Sequence, residues 1–443
     1  MARRALYYYR HTQQCMSGEM PHTAPCCGWI QPYACLVSQF TQFLGYSEGA
    51  SNSYLLCSEY REMSLTYPLY KQVISSFVPQ TSSSSFPKGV THHTSLSDDP
   101  NEYIFQIDVS TDGKKLCMSL SDCSISVMDR EILTVIGDRI RGHTDRINAL
   151  CFSPMNSDII ISASSDHTCC CWDMRTPLEP VSSITLPGEI SAMTLGVGGS
   201  LIATACGTSL YFHDMRQLDA GTLGQYADCH TDEITSVKFH PNAAVHHLLS
   251  GGEDGLICVY DTSVSANDEA VISILNTDCP TRQIGFFGTG HEGVYCLSSV
   301  ETASIWHYPS AQRISNFPSI RESLGCDYLI DCWYQDDGSL NLLAGDHAGK
   351  GVVTNIQPGD VHTAVGEMLG GHSSTMRCAC FLDDSILTAG EDSRLCVWGP
   401  RAVESQEIPK TIRGAHYNST GGKASNSLQG DKKKSGTLRH SPY

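Results

Sequence analysis

Basic charge is scarce in this chain: 29 Lys and Arg stand against 47 Asp and Glu in 443 residues, a formal net charge of −18. So acidic a protein is poorly suited to following a phosphate backbone, which takes rows of cations, so nucleic acid is expected only at a local basic stretch. Long apolar runs are missing as well, and none reaches the roughly 20 residues that a membrane-spanning helix needs. The first residues do not read as a secretory leader, so the 21 cysteines are expected to be reduced. Several, such as Cys169, Cys170 and Cys171, fall inside apolar runs where a thiol packs as a small hydrophobe. There is no glycine loop for phosphate, no dinucleotide fingerprint and no pair of catalytic carboxylates with supporting context. His22, Cys26, Cys27 and Cys35 lack the C-x-x-C pairing of a zinc site. The expectation is a cytoplasmic or nuclear protein with no metal or cofactor and no membrane contact, acting on protein partners.

What the chain does have is a recurring set of four residue types. His143, Ser162, Asp166 and Trp172 are followed by His230, Ser250, Asp254 and Tyr260, and again by His372, Thr388, Asp392 and Trp398. Each time the hydroxyl lies four residues before the aspartate and the aspartate six before the aromatic, with the histidine 16 to 20 residues ahead of the hydroxyl. A fixed spacing of this kind marks a repeated β-unit. A His, Ser and Asp set also invites a hydrolase reading. Each serine, however, lies mid-strand, as in Ile160, Ile161, Ser162, Ala163, without the G-x-S-x-G elbow that exposes a nucleophile. The set is therefore read as a structural hydrogen-bonded chain, in which every buried polar group finds a partner.

Between and around the three copies, units of about forty residues carry four short β-like runs each, separated by turn signals. Seven units are counted: 103–138, 142–186, 188–227, 230–276, 279–321, 327–370 and 371–398. The third has lost the tetrad, with His213 and Asp214 at its end, and the fifth and sixth are degenerate, keeping Trp306 and the turn Gly345, Asp346. The seventh lacks a fourth run, because Gly399 and Pro400 end the pattern. The early run 71–78 (KQVISSFV) is expected to complete it, with 81–99 as a Ser-rich linker. Residues 1–62 show no sustained period and read as a disordered extension, or one preceding a true start at Met63. Residues 401–443 carry eight Lys or Arg against three acids, a basic disordered tail on an acidic body.

Gly142, His143 to Trp172, Asp173 resembles the signature of the WD-repeat family, whose members form β-propellers. The resemblance covers about 69–400, and within the family a narrower likeness rests on segments 250–261, 342–351 and 370–398. It implies an all-β, seven-bladed propeller spanning 63–400, closed by an N-terminal strand, and a role as a platform for peptides or protein domains. The segment 160–175, IISASSDHTCCCWDMR, also resembles the box ending in W-D-x-R by which substrate receptors dock on the propeller adaptor of cullin-based ubiquitin ligases. Trp172, Asp173 and Arg175, repeated as Asp214 and Arg216 in the next unit, would then form the adaptor contact. Cys169 and Cys171 depart from that pattern, standing where aliphatic residues are usual. The alternative is that Arg175 only pairs with Asp173 and caps its turn.

Overall fold

The computed structural model describes residues 90–96 and 102–399, apart from 177–178, 197, 336–337, 358–363 and 383–384. Its strands form seven antiparallel sheets, the blades of a β-propeller. The innermost strands are Ile104–Val109, Ile147–Ser153, Ile190–Leu195, Ile234–Phe239, Thr281–Phe287, Tyr328–Tyr334 and Met376–Phe381. Each blade runs outward from its inner strand by hairpins. Blade 2 continues through Asn156–Ser164, Thr168–Asp173 and Ser182–Thr185. Blade 1 has three full strands, with two further isolated bridges, Ile125 to Ile140 and Met128 to Val135, at its outer edge.

No single central core exists, because a blade buries both faces against its neighbours. Apolar side chains gather in seven clusters, one at each seam. Trp172 of blade 2 packs with Cys117, Ile125 and Val127 of blade 1, while the seventh seam joins Leu387 and Leu395 of blade 7 to Leu116 and Met118 of blade 1. The cysteines fit this packing: Cys169 and Cys171 lie among Ala149, Ile161, Leu186 and Ile190, where an aliphatic would serve as well. All the described cysteines are free.

Blade 7 is completed by Val90–Ser95, which pairs antiparallel with Arg394–Trp398, Val90 opposite Trp398 and Ser95 opposite Arg394. Closure by an N-terminal strand therefore holds, but the strand is not 71–78. It lies within the stretch expected to be a linker, and 71–78 falls outside the described residues, as do 1–62 and 401–443. Chain geometry explains the choice. Ser95 precedes Ile104 by nine residues, within the range of the other outer-to-inner links, from five (Thr185 to Ile190) to eleven (Phe317 to Tyr328).

Two local devices recur in all seven blades. The turn between second and third strands holds one residue with positive φ: Cys123, His167, Gly207, Gly255, Glu301, Gly349 and Ser393. Where an aspartate precedes it, the carboxylate accepts the amide two residues on, as Asp166 does from Thr168 at 2.9 Å and Asp254 from Leu256 at 3.1 Å. In blades 1, 2 and 7 that bond accompanies a non-glycine residue at the left-handed position, whereas Glu301 of blade 5 follows Val300 and holds it without an aspartate. The second device is a β-bulge just inside the start of every inner strand, at Phe105, Asn148, Ser191, Thr235, Arg282, Ile330 and Arg377. A bulge re-aims its side chain, here toward the central channel and the next blade.

Candidate functional site

The structure assembles the sequence-defined tetrads. In blade 2 the Trp172 indole donates to Ser162 Oγ at 2.7 Å, Ser162 Oγ lies 2.7 Å from His143 Nε2, and His143 Nδ1 lies 2.8 Å from Asp166 Oδ2. The ends fix the polarity: an indole can only donate and a carboxylate can only accept, so Nδ1 carries the histidine proton and the serine hydroxyl donates to Nε2. Blade 7 repeats this with Trp398 to Thr388 at 2.8 Å, Thr388 to His372 at 2.8 Å and His372 to Asp392 at 3.0 Å. Burial pushes the Asp166 carboxyl up, but the Thr168 hydroxyl, the Thr144 amide and His143 more than offset it and hold the group below the ordinary range. Ser162, Ser250 and Thr388 are fully buried. A hydroxyl with no exposed surface, already committed to an indole or a histidine, does not meet a substrate.

Blade 4 departs from the pattern at one end. His230 bonds Asp254 at 3.0 Å and Ser250 at 2.7 Å, but Tyr260 turns its hydroxyl to the Cys229 and Cys258 thiols. A phenol carries its O–H beyond the ring, so it overshoots the serine that an indole N–H reaches. In two of the units that had lost the tetrad, the structure adds remnant bonds that the sequence pattern did not show. In blade 3, His213 stands where the tryptophan would be and keeps the hydroxyl partner, Thr204 Oγ1, at 3.0 Å; burial pulls its pKa down to about 4. In blade 5 the cross-strand pair is swapped. Ser162, Ser250 and Thr388 each face a cysteine on the third strand (Cys170, Cys258, Cys396), whereas blade 5 puts Cys296 on the second strand and Ser304 on the third. Trp306 accordingly donates to Ser304 on its own strand, at 2.9 Å.

The W-D-x-R residues sit where the third strands of blades 2 and 3 end. Arg175 is engaged locally: Nε lies 2.8 Å and Nη2 2.5 Å from the two Asp173 oxygens. Arg216 repeats the fork on Asp214 at 2.9 and 2.6 Å. The Arg175 guanidinium and amide hold the Asp173 carboxyl down to about 2, and Arg216 does the same for Asp214. Both arginine side chains remain open to solvent, 66% and 73% exposed. Trp172, by contrast, is 1% exposed and belongs to the blade interior.

The central channel that a propeller implies is a lumen of about 610 Å³ lined by all seven blades, and the residues of its wall are what the sequence did not single out. Around its wall the bulged residue of one blade reaches the first inner-strand carbonyl region of the next. Asn148 donates to Ile190 O at 2.9 Å, Ser191 to Ile234 O at 2.5 Å, Thr235 to Thr281 O at 2.7 Å and Arg282 to Leu329 O at 2.5 Å. Elsewhere different groups serve. The Met376 amide donates to Tyr328 Oη at 2.8 Å, the Phe152 amide to Asp108 at 2.7 Å, and the Ser393 hydroxyl to Glu102 O across the closing seam. The shared signal is a backbone position, not a residue type, so no sequence spacing exposed it. Among the described residues no cluster of His, Cys, Asp or Glu is placed to hold a metal ion, and no helix is long and apolar enough to cross a membrane.

Comparison with known proteins agrees with this geometry. The family model "WD domain, G-beta repeat" matches residues 135–173 and 221–261, which fall on blades 2 and 4. The chain is similar to the WD repeat-containing protein GTS1 of Arabidopsis thaliana, 29% identical over 67% of this chain and 81% of that protein. It is also similar to the WD repeat-containing protein 89 homolog of Dictyostelium discoideum, 28% identical over 76% of this chain and 92% of the relative. The latter is the protein to which the likeness of segments 250–261, 342–351 and 370–398 pointed. An uncharacterized WD repeat-containing protein of Schizosaccharomyces pombe is 22% identical over 68% of the chain.

Proposed function

Because this chain is a WD-repeat β-propeller, we propose that it is a non-catalytic protein-protein interaction scaffold of the cytoplasm or nucleus, binding basic segments of protein partners at its central channel. The lumen carries this reading: it is open, drawn from every blade, and rigidly framed by the inter-blade hydrogen bonds. A rigid concave wall with a few fixed polar groups binds at low entropic cost. The acidic body, with its net charge of −18, favours cationic partners by long-range attraction. The buried hydroxyls of the tetrads argue against hydrolysis. Nucleic acid would be met only by the basic stretch 401–443. Fluorescence anisotropy of labelled hexaarginine and hexaglutamate tests the reading. Saturable binding of the basic peptide, weakened by salt, supports it; binding of neither peptide, or of hexaglutamate alone, removes it.

A second reading is favoured by the repetition of exposed arginine forks on adjacent blades, Arg175 and Arg216. In it the chain is a substrate receptor of a cullin-based ubiquitin ligase, docking on the adaptor through 160–175. A guanidinium can exchange its local carboxylate for one on a partner. Recovery of the adaptor with the wild type and its loss with Arg175→Ala supports this reading; equal recovery from both, or none, rejects it.

A further inference from the structure

Charged side chains on the lumen wall differ in how they are committed. At the mouth, Arg282 donates to Leu329 O and faces Glu301 at 3.8 Å, and Arg377 Nε pairs with Glu391 at 2.8 Å. With each arginine set against its glutamate, the remaining charged lining residues are Asp108 of blade 1, Asp331 of blade 6 and Lys238 of blade 4. Asp331 is fixed by three donors: Gln283 Nε2 at 3.1 Å, the Tyr295 hydroxyl at 3.0 Å and the Cys332 amide at 2.8 Å. Tyr295 reaches it because residue 285 is glycine; a Cβ there would lie 2.5 Å from the phenol oxygen. Lys238 is exposed and makes no hydrogen bond or ion pair with any described residue. Its charge nevertheless acts on both carboxylates, lowering each. Burial outweighs that help and leaves both carboxyls raised, as expected of anions with too little compensating charge. Two fixed acids and one loose ammonium leave the wall short of one positive charge.

We propose that Asp108 and Asp331 form a lumen site for the cationic head of a lysine or arginine side chain presented by a protein partner, and that Lys238 is the chain's own weak occupant, which the ligand displaces. The proposal rests on the reading of the channel as a receptor for basic segments and adds the residues that receive them. Asp108 and Asp331 hold the entering charge at two points of the wall. Lys238, on a flexible stem, covers them in the unliganded protein and opposes the ligand until it swings aside. The lysine thereby sets a threshold that a singly charged, loosely held cation does not pass.

Anisotropy with labelled hexaarginine, on the full chain at 0.15 M salt where the outer surface field is screened within about 8 Å, separates the alternatives. Lys238→Ala is expected to tighten binding at least about threefold, the scale of removing one exposed like charge. Asp108→Asn and Asp331→Asn are expected to weaken it by a similar factor, and Lys238→Arg to leave it near wild type. Lys238 is exposed, so its alanine variant should melt as the wild type does. If Lys238→Ala binds hexaarginine no better, or worse, while the wild type binds it, the displacement model is wrong and the scaffold reading stands. Hexaglutamate binding that depends on Lys238 makes the lysine an anion anchor and overturns the proposal. Failure of every variant to bind either peptide overturns the scaffold reading with it.

Discussion

Blades 7 and 5 are assembled differently, and their polar interiors differ accordingly. Blade 7 is stitched from two distant pieces of chain, Val90–Ser95 and 376–398, and it holds a complete tetrad from Trp398 to Asp392. Blade 5 is one continuous meander and keeps a single bond, Trp306 to Ser304, within its third strand. Continuity alone does not dictate loss, since blade 2 is also continuous and has the full set. The lesson is narrower: the tetrad ties the loop before the inner strand to the second and third strands. The blade without a covalent route from its outer strand to its inner ones retains that tie. Blade 5 directs its buried polar groups across its seams instead, with Tyr295 reaching Asp331 of blade 6.

Removing the stitch gives the largest effect. A chain lacking residues 90–95 leaves Arg394–Trp398 as an open edge next to the ring seam, an invitation to aggregation. Cooperative melting is expected to be lost, or its midpoint to fall by about 10 °C or more, with turbidity on heating, since each 1 kcal/mol shifts a domain larger than 150 residues by roughly 2–4 °C. An unchanged melt would mean that another segment closes blade 7.

Next comes the tetrad hydroxyl. Thr388→Val keeps the shape but leaves the Trp398 indole and His372 Nε2 buried without partners, a loss of about 2–4 kcal/mol. Ser304→Ala strands the Trp306 indole and the weakly bonding Cys296 thiol, and should cost about 1–2 kcal/mol. Urea unfolding of the two variants measures the gap; equal losses would show that the tetrad adds nothing to a stitched blade.

This division also explains which parts of the fold could be read from residues alone. Blades 2, 4 and 7 were legible because their hydroxyl, Asp and ring fall at one spacing that a β-hairpin enforces. Blade 5 hid its bond because Ser304 and Cys296 exchanged strands, which preserves the chemistry and destroys the spacing. The closing strand was misplaced because an outermost strand buries little: VTHHTS carries no apolar alternation, whereas 71–78 holds Val73, Ile74, Phe77 and Val78. The inter-blade bonds were illegible because Asn148, Ser191, Thr235 and Arg282 share a bulge and not a side chain. Asp108 and Asp331 became a candidate site only once the ring brought blades 1, 4 and 6 around one lumen.

pH separates the aspartates of the two regions. The folded pKa of Asp392 is depressed: burial raises it, but His372 and the Ser373 amide more than reverse that. Its contribution is present above the unfolded value near 3.9 and is lost as pH falls through the folded one. Asp331 is raised by burial, so its contribution is favourable below the unfolded value and is lost as pH rises through the folded one. At pH 7, Asp392→Asn is therefore expected to destabilise by about 1–3 kcal/mol, and the penalty should shrink below pH 4. Asp331→Asn should be neutral or slightly stabilising at pH 7 and lose that benefit in acid. Denaturant titrations at pH 3.5, 5 and 7 give the slopes, and parallel slopes for the two variants would contradict the assignment.

The smallest effect lies at the left-handed turn position that all blades share. In blade 7 it is Ser393, whose hydroxyl bonds Glu102 O, and in blade 5 it is Glu301, whose carboxylate accepts the Leu329 amide at 2.6 Å. Both side chains join blades, so glycine there would relieve strain but cut a seam contact. His167 of blade 2 has the same kind of backbone, φ 72°, with an exposed side chain and backbone bonds alone, its amide donating to Ser164 O and its carbonyl accepting from the Leu186 amide, both of which glycine keeps. A side chain in this region costs about 1–2 kcal/mol, and glycine returns about 0.5–1 kcal/mol of that as extra freedom in the unfolded chain. His167→Gly should therefore stabilise by about 0.5 kcal/mol, while Glu301→Gly should destabilise. Urea midpoints that move in the same direction for both would show that backbone strain, and not the seam contact, governs this turn in every blade.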